Sequence, residues 1–378
     1  MIAITKTPDT HEKLALLSRD ARYDLACACG TREDEHRRRS QQNTWIYPVS
    51  LPAGGTTYLF KTLLSNACLH DCRYCPLRRD AETRRCSLTP EELARTFLSY
   101  HGRGRVSGLF LSSAVSVSPD ATMERINRTA LILRRSRFKG YLHLKVIPGA
   151  SEAAIRQSLS LANAVSLNIE TAGPDNFRRL SSSKDYQRDI LDPIRLISRL
   201  TARGGLYAGV KQTTQFVVGA GTETDGQIIG YSWKLYRELG LARVYFSAYQ
   251  RQAGASPAAG KEGRALNGAL LTREHRLYQT DWLIRKYGFR ADEIPLDASG
   301  NLSLDKDPKE AWAQAHPEFF PVHVNRDDAR RLARVPGLGL TSVQRILDLR
   351  RAGLRIHRLE QLGRTGKALS KITPYVAF

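Results

Sequence analysis

Segments that read as β-strands alternate with helix-like segments through the middle of the chain, and this alternation constrains the fold most. Strand-like segments lie at residues 57–64, 108–113, 141–147, 164–170, 209–218 and 243–249. Helical stretches lie at 119–135, 151–161, 187–202, 224–239 and 272–286, and another begins at the capping-box pattern of Thr89, Pro90 and Glu92. Such alternation indicates parallel βαβ units. The sequence therefore predicts an α/β fold, a partial (β/α)6 barrel rather than the closed eight-unit form.

Several of these strands alternate polar with apolar residues, although strands covered on both faces of a parallel sheet are usually apolar throughout. The polar positions are Tyr141, His143 and Lys145; Ser166, Asn168 and Glu170; and Lys211, Thr213 and Gln215. We expect these polar faces to line an interior that holds a polar cofactor or substrate. The alternative is a sheet with one face open to solvent.

Length and composition bound the architecture. A chain of 378 residues suggests one large domain with additions. We expect an N-terminal extension at 1–56, a barrel at 57–250, a loop and helical extension at 251–321, and a small domain at 322–378. Residues 251–270 are rich in Gly and Ala and predict a mobile loop; residues 297–311 are a second linker candidate.

No run of 18 uncharged apolar residues and no signal-peptide pattern occurs in the sequence. These features predict a cytoplasmic protein without a membrane span, in a compartment where disulfides are rare. Six unevenly spaced cysteines then indicate ligands or reactive thiols rather than a disulfide framework.

Three cysteines cluster in the segment NACLHDCRYCP, at positions 68, 72 and 75, directly after the first strand. A structural zinc ion usually takes four protein ligands, and only three cysteines are present, with His70 between the first two. An iron–sulfur cluster held by three thiolates would keep one iron open. The alternatives are zinc and unconnected thiols.

A cysteine motif Cys-x3-Cys-x-aromatic-Cys after the first strand of a six-strand array resembles the radical S-adenosylmethionine superfamily. The resemblance implies a 4Fe-4S cluster on Cys68, Cys72 and Cys75, whose open iron chelates S-adenosylmethionine. One-electron reduction would then give a 5′-deoxyadenosyl radical. The implied cofactor contacts are Tyr74, Ser112, Ser113, Asn168, Glu170, Gly219 and Gly221. Ser112 and Ser113 stand where many members have a Gly-Gly-Glu stretch, and hydroxyls and carbonyls can accept from an ammonium.

A narrower resemblance covers nearly the whole chain. The segments LFLSSAVSVSPDATMERI, HLKVIPGAS and REHRLYQTDWLIRKYGF are similar to a family of DNA-modification or DNA-repair radical S-adenosylmethionine proteins. This resemblance implies an association with a uracil-DNA-glycosylase-like partner. It also implies a role for Cys27 that it does not name, whereas Cys86 reads as an ordinary thiol and Cys29 stays unassigned.

Positive charge is the remaining feature. The chain has 58 Lys and Arg against 37 Asp and Glu, a net charge of +21, which favours a polyanionic partner such as nucleic acid. Residues 326–378 alone carry 12 basic and four acidic residues.

Residues 327–352 resemble a helix-hairpin-helix with a small core of Leu332, Val335, Leu338, Val343 and Ile346. The expected DNA contacts are Arg334, Gly337, Leu338, Gly339 and Arg345, because glycines let the backbone approach a phosphate. The alternative is an αα-hairpin that packs on protein.

The leading prediction is thus a radical enzyme that acts on DNA and draws electrons from a separate donor. The alternatives are the same chemistry on RNA, or an iron–sulfur scaffold that binds DNA and delivers the glycosylase-like partner.

Overall fold

A computed structural model of the chain describes residues 8–24, 45–51, 54–250, 261–363 and 366–378. The chain forms two compact units. The first comprises Met1–Glu223 with Lys234–Glu274, and the second comprises Thr224–Trp233 with His275–Phe378. Among the described helices, none is long and apolar enough to cross a membrane.

A seven-stranded sheet forms the centre of the first unit, as far as the described residues show. Its strands are β1 (Ile46–Ser50), β2 (Thr56–Leu63), β3 (Gly108–Ser112), β4 (Tyr141–Lys145), β5 (Ala164–Ser166), β6 (Lys211–Val218) and β7 (Arg243–Ala248). They follow one another in chain order across the sheet. β1 pairs antiparallel with β2, and β2 to β7 are parallel. The six predicted parallel strands are confirmed, and the described edges β1 and β7 do not pair with each other, so the sheet is open.

Helices connect these strands. They are α1 (Thr10–Asp20), α2 (Pro90–Gly102), α3 (Pro119–Arg135), α4 (Glu152–Leu161), α5 (Pro174–Leu180), α6 (Asp192–Thr201), α7 (Asp225–Arg237) and α8 (Lys261–Lys286), with a π-helical turn at Tyr186–Leu191. The predicted capping box at Thr89 is present: its side chain accepts from Glu92 N–H, and the Glu92 side chain accepts from Thr89 N–H. The expected loop at 251–270 is wrong for residues 261–270, which belong to α8 because Ala and Leu favour helix there; residues 251–260 lie outside the described residues.

Most polar positions of the strands are buried, whereas Tyr141 and Lys211, at the amino-terminal ends of β4 and β6, are exposed, so the expectation that they line the interior is wrong for these two residues. His143, Lys145, Ser166, Glu170 and Gln215 are all less than a tenth exposed, as are the apolar residues that alternate with them. The sheet is therefore covered on both faces, and the alternative of a solvent-exposed face is wrong for these residues. The interior of the sheet is polar, as the strand pattern predicts.

The second unit contains short elements around its own core. These are α9 (Pro308–Ala315), α10 (Ala329–Arg334), α11 (Leu340–Arg351), α12 (Lys367–Ile372) and the parallel strands β8 (Val322–His323) and β9 (Val376–Ala377). All five predicted core residues, Leu332, Val335, Leu338, Val343 and Ile346, are buried together, and Tyr287, Phe319 and Phe320 pack against them. The predicted boundary at residue 322 therefore lies inside one compact unit that includes residues 275–321.

Candidate active site

The cysteine segment lies directly after β2 and borders a cavity of about 180 Å³ in the first unit. Of the residues expected to bind the cluster or cofactor, the cavity brings together Cys68, Cys72, Cys75, Tyr74, Ser112, Ser113, Asn168 and Glu170. These residues follow the carboxyl ends of parallel strands, where such folds place their chemistry. The structure thus gathers eight residues that are up to 102 positions apart in the chain.

Arg85 fixes the shape of the cysteine segment. Its guanidinium donates to the backbone carbonyls of Asn66 (2.6 Å) and Leu77 (2.9 Å) through Nη1. Through Nη2 it donates to the carbonyls of Arg78 (2.8 Å) and Ala81 (2.9 Å). One side chain therefore ties the start of the segment to its end, around the three cysteines.

Asp71 holds the middle of the segment. Its carboxylate accepts hydrogen bonds from the hydroxyls of Ser181 (2.7 Å), Ser182 and Ser183 (2.7 Å), and from the backbone N–H of Ser182 at 3.0 Å. Partial burial opposes ionisation, but these hydrogen bonds outweigh it and hold the pKa of Asp71 far below its usual range. The three serines lie after α5, so the contact joins two loops at the same edge of the sheet.

The donor set fits an iron–sulfur cluster. Burial, then the neighbouring Cys72, raises the pKa of Cys75 to about 12, so a thiolate there needs a cation close by. Within the described residues no three His, Cys, Asp or Glu side chains are grouped as one metal ion would require. A 4Fe-4S cluster can take one thiolate on each of three irons, and Cys68, Cys72 and Cys75 supply three thiolates from one segment that borders the cavity.

Glu170 and Asn168 present acceptors to the cavity. Glu170 Oε2 and Asn168 Oδ1 are buried without a hydrogen-bond partner among the described residues. The Tyr74 hydroxyl bonds to the Glu170 carboxylate, and burial is the main cause that raises the pKa of Glu170. The Glu170 backbone is left-handed, with φ at 67°, and its N–H and C=O bond to Gln215 and Val217 of β6. Buried orphan acceptors require a ligand that donates, such as an ammonium or a ribose hydroxyl.

Two cationic side chains line the same cavity, and neither was singled out from the sequence as a site residue. Lys145 pairs with Asp24 at 2.9 Å. Burial raises the pKa of Asp24, but Lys145 and a hydrogen bond from Ser112 outweigh it and lower the pKa. Lys184 bonds to Cys72 and lies near Glu170. Burial lowers the pKa of Lys184, but Cys72 and Glu170 outweigh burial, so the pKa is raised overall. Only Lys145 could have been predicted from the sequence, because it lies on the polar face of a predicted strand.

Two expected contacts lie elsewhere. Gly219 and Gly221 do not border the cavity. Gly219 N–H donates to Glu223 Oε1 at 3.1 Å, and a Cβ on Gly221 would come within 2.4 Å of Glu223 Oε2. Gly221 therefore leaves room for Glu223, whereas a Cβ on Gly219 would come within 2.4 Å of Leu270 Cδ2. Contact of these two glycines with the cofactor stays a prediction.

Cys86 lies outside the cavity. Its thiol lies 3.8 Å from the carbonyl of Lys13, and its own N–H donates to the Asn66 side chain. This is an ordinary structural thiol, as the sequence favours. Cys27 and Cys29 lie outside the described residues.

In the second unit, residues 335–339 join α10 to α11. Gly337 is exposed with φ at 80°, Leu338 is buried in the core, and Gly339 caps α11 without a side-chain hydrogen bond. Arg345 is exposed on α11.

Arg334 corrects one expectation. It is only 6% exposed, pairs with Glu293 at 2.8 Å and stacks 3.7 Å from the centre of the Phe289 ring. A cation that is buried and paired in this way cannot reach an external phosphate. Arg334 is therefore part of the core of the unit and not a DNA contact.

Residues 62–230 match the family model described as the Radical SAM superfamily. The first unit thus contains a radical S-adenosylmethionine enzyme domain, of a superfamily that uses a 4Fe-4S cluster and S-adenosylmethionine. None of the curated proteins matches the chain.

Solved structures give weaker similarities. The FeFe-hydrogenase maturase HydG from Carboxydothermus hydrogenoformans is 15% identical, with 58% of this chain and 52% of that chain covered and a TM-score of 0.43. Methylornithine synthase PylB is 15% identical, with 73% and 74% covered and a TM-score of 0.45. The methyltransferase TsrM from Kitasatospora setae, with cobalamin and a [4Fe-4S] cluster bound, is 15% identical over 51% and 34%, with a TM-score of 0.40. The chain spans about half the length of HydG, and these TM-scores are too low to carry an argument about function.

Proposed function

We propose that this protein is a radical S-adenosylmethionine enzyme that acts on DNA, in repair or modification. The observation that carries the radical chemistry is the three-cysteine segment that borders a cavity with buried polar side chains, within a radical S-adenosylmethionine domain. When bound, the 4Fe-4S cluster and S-adenosylmethionine supply a 5′-deoxyadenosyl radical after one-electron reduction by a separate donor.

The residues of the chain bind and orient the reactants. Cys68, Cys72 and Cys75 would hold the cluster, and Lys184, beside Cys72, offsets part of the negative charge of the thiolates. Glu170 and Asn168 would accept hydrogen bonds from donor groups of the S-adenosylmethionine. The buried polar side chains of the strands would satisfy polar groups of a bound ligand.

DNA is proposed as the substrate because of the turn at 335–339. The turn has an exposed Gly337 in a left-handed conformation, and Gly339 at the start of α11 has no side chain, so the backbone there can approach a phosphate, in a chain of net charge +21. A turn of this kind contacts the backbone of DNA and carries little sequence information. Recognition of the target would then depend on the cavity, or on the glycosylase-like partner that the family resemblance implies.

Radical chemistry on DNA is tested by anaerobic incubation of reduced, cluster-loaded protein with S-adenosylmethionine and a DNA mixture, followed by nucleoside mass spectrometry. We expect 5′-deoxyadenosine and an altered nucleoside. Release of 5′-deoxyadenosine with an altered ribonucleoside, in a parallel RNA arm only, would favour an RNA-modifying enzyme. No reductive cleavage at all, with DNA binding intact, would favour the scaffold.

The role of the turn is tested with two glycines in left-handed conformations. Gly337→Val should weaken binding of duplex DNA, because a side chain there blocks the approach of a phosphate. Gly353→Val is the matched control, since Gly353 has φ at 72° and lies at the other end of α11. Equal binding by the two folded variants would remove the turn from the mechanism.

A further inference from the structure

Exposed positive charge is concentrated at the edge of the sheet opposite the cavity. Because β2 to β7 are parallel, the loops before β3, β4, β5 and β6 all lie at this amino-terminal edge. These loops are residues 103–107, 136–140, 162–163 and 202–210, and they contain no Asp or Glu. The loop before β7, residues 238–242, lies at the same edge and carries one exposed acidic residue, Glu238. We call the exposed cationic side chains at this edge the basic rim: Arg103, Arg105, Arg137, Lys139, Arg203 and Lys211.

The basic rim spans neighbouring strands, with the uncharged loop 162–163 before β5 between its two halves. Gly108 of β3 pairs with Tyr141 of β4, and Ala164 of β5 pairs with Lys211 of β6. Neighbouring strands lie about 4.8 Å apart, and the loops that precede them therefore lie side by side. None of the six cations forms an ion pair with a residue that the structure describes. Arg137 and Lys139 also border a surface depression together with Phe138 and Asn163. The basic rim therefore offers unneutralised charge to an external partner.

Helix dipoles account for only part of this charge. Cations are favoured in the last turn of a helix, and the effect fades beyond that turn. Arg135 and Arg199 lie in such last turns, but Arg105, Lys139 and Lys211 lie beyond them. The helix dipole therefore does not explain why these three positions carry positive charge.

The backbone conformation of Arg137 is a second, independent observation that points to a need for positive charge at this edge. Among the described residues only Arg137 and Glu170 have a positive φ without being glycine, and Glu170 lies in the cavity. α3 ends in a Schellman motif, in which Arg137 N–H bonds to Arg134 C=O and Phe138 N–H to Leu133 C=O. α2 ends with the same two bonds, but there the left-handed position is Gly104, as the motif favours. At this left-handed position an arginine is less stable than a glycine would be, but it adds a positive charge to the surface.

We infer that the basic rim is a second DNA-binding surface, which holds the phosphate backbone of a duplex at the end of the domain away from the cavity. The choice of DNA among polyanions rests on the proposed function. Since β3 has five residues, the rim lies about 16 Å from the cavity end of the sheet. A duplex on the rim is therefore held at a distance from the chemistry, and the rim anchors DNA without presenting the target base.

The test uses the full chain with two quadruple variants that lose the same charge. The rim variant replaces Arg103, Arg105, Arg137 and Lys139 by Gln, and the control replaces the helix-face residues Arg95, Arg128, Arg156 and Arg195 by Gln. Fluorescence anisotropy with an unrelated duplex DNA, across a salt series, should show at least tenfold weaker binding for the rim variant only. Its salt slope should fall by about 3.6, at about 0.9 for each of the four phosphates that are no longer neutralised.

A single substitution sharpens the test. Arg137→Gly should raise the midpoint of thermal unfolding by about 3 °C, because it relieves the left-handed strain, and should still weaken DNA binding. Loss of binding in a stabilised variant cannot come from misfolding.

The contrary outcomes are distinct. If the rim variant binds DNA like the wild type, or if the control variant loses as much DNA binding, the basic rim is not a DNA-binding surface. The proposed function is then unaffected. A loss confined to RNA or to an acidic protein overturns the assignment to DNA. A wild type that binds no duplex overturns both.

Discussion

Lys309 Nζ donates a hydrogen bond to the backbone carbonyl of Leu338 over 2.7 Å, within the turn between α10 and α11. Lys309 is 7% exposed, and its ammonium lies 4.5 Å from the centre of the Tyr287 ring. Burial lowers the pKa of Lys309 to about 7, Asp307 opposes this shift, and Arg334 adds to it. The turn proposed to contact DNA is thus supported by a buried cation.

This contact predicts a pH dependence of stability. The unfolded chain keeps the Lys309 proton to about pH 10.4, whereas the folded protein releases it near pH 7. Unfolding therefore takes up a proton between these values, so Lys309 makes stability rise with pH across this window. Lys309→Met should remove that rise. Denaturant unfolding from about pH 6 to about pH 10 checks it, with the exposed Lys286→Met as control; parallel curves for wild type and Lys309→Met would contradict it.

The cysteines give the most direct prediction. Cys68→Ala, Cys72→Ala and Cys75→Ala should each lower the iron content and the brown absorbance of anaerobically purified protein, because each removes one ligand. Cys86→Ala should retain both, since Cys86 lies away from the cavity. Iron analysis of the four purified variants tests this prediction. Full iron retention by a triple variant of Cys68, Cys72 and Cys75 would refute the cluster assignment.

Arg85 should matter for stability and for cluster loading together. Arg85→Met removes four hydrogen bonds to carbonyls, and we expect a loss of about 2–4 kcal/mol in the free energy of unfolding. Iron uptake during reconstitution should fall as well, because the segment loses its shape. Arg84→Met, at the exposed neighbouring position, is the control. If iron uptake were the same in both variants, Arg85 would have no part in shaping the site.

Asp71 and the three serines should act as one unit. Asp71→Ala should slow iron uptake, and replacement of Ser181, Ser182 and Ser183 by Ala should have a similar effect. Combining both changes should add little, because the second change removes groups whose partners are already gone. Asp80→Ala, four residues after the segment, is the control. Additive effects in the reconstitution assay would show that the two sets act independently.

Glu170 should govern the binding of S-adenosylmethionine. Glu170→Gln keeps the side-chain size but loses the charge, and we expect at least tenfold weaker binding, as for one charged hydrogen bond. Tyr74→Phe should weaken binding less, since it only frees the Glu170 carboxylate. Calorimetry on cluster-loaded protein measures both, with the exposed Glu152→Gln as control. Unchanged affinity for Glu170→Gln would exclude Glu170 from the cofactor site.

Much of the first unit follows from local pattern. The strand predicted at 141–147 is found at Tyr141–Lys145, and the strand at 211–218 lies within the predicted 209–218. The alternation that marks these strands also placed Asn168 and Glu170 in the interior. Periodicity reports on neighbours within one element, so it identifies strands, caps and the faces of strands.

Contacts between distant loops carry no such pattern. Asp24 reaches Lys145 across 121 positions, and Lys184 reaches Cys72 from a loop after α5. Arg334 reads as a surface cation beside a turn, yet it is buried against Phe289. In each case the environment depends on a partner far away in the sequence, which a single sequence does not reveal.

The four hydrogen bonds of Arg85 have a consequence for how the protein matures. They tie the two ends of the cysteine segment together with protein groups alone, so we expect the segment to keep its shape without iron. Assembly of the cluster would then need no refolding of the chain. Protein bleached by oxygen should accordingly regain its colour when iron and sulfide are supplied again, without a cycle of denaturation.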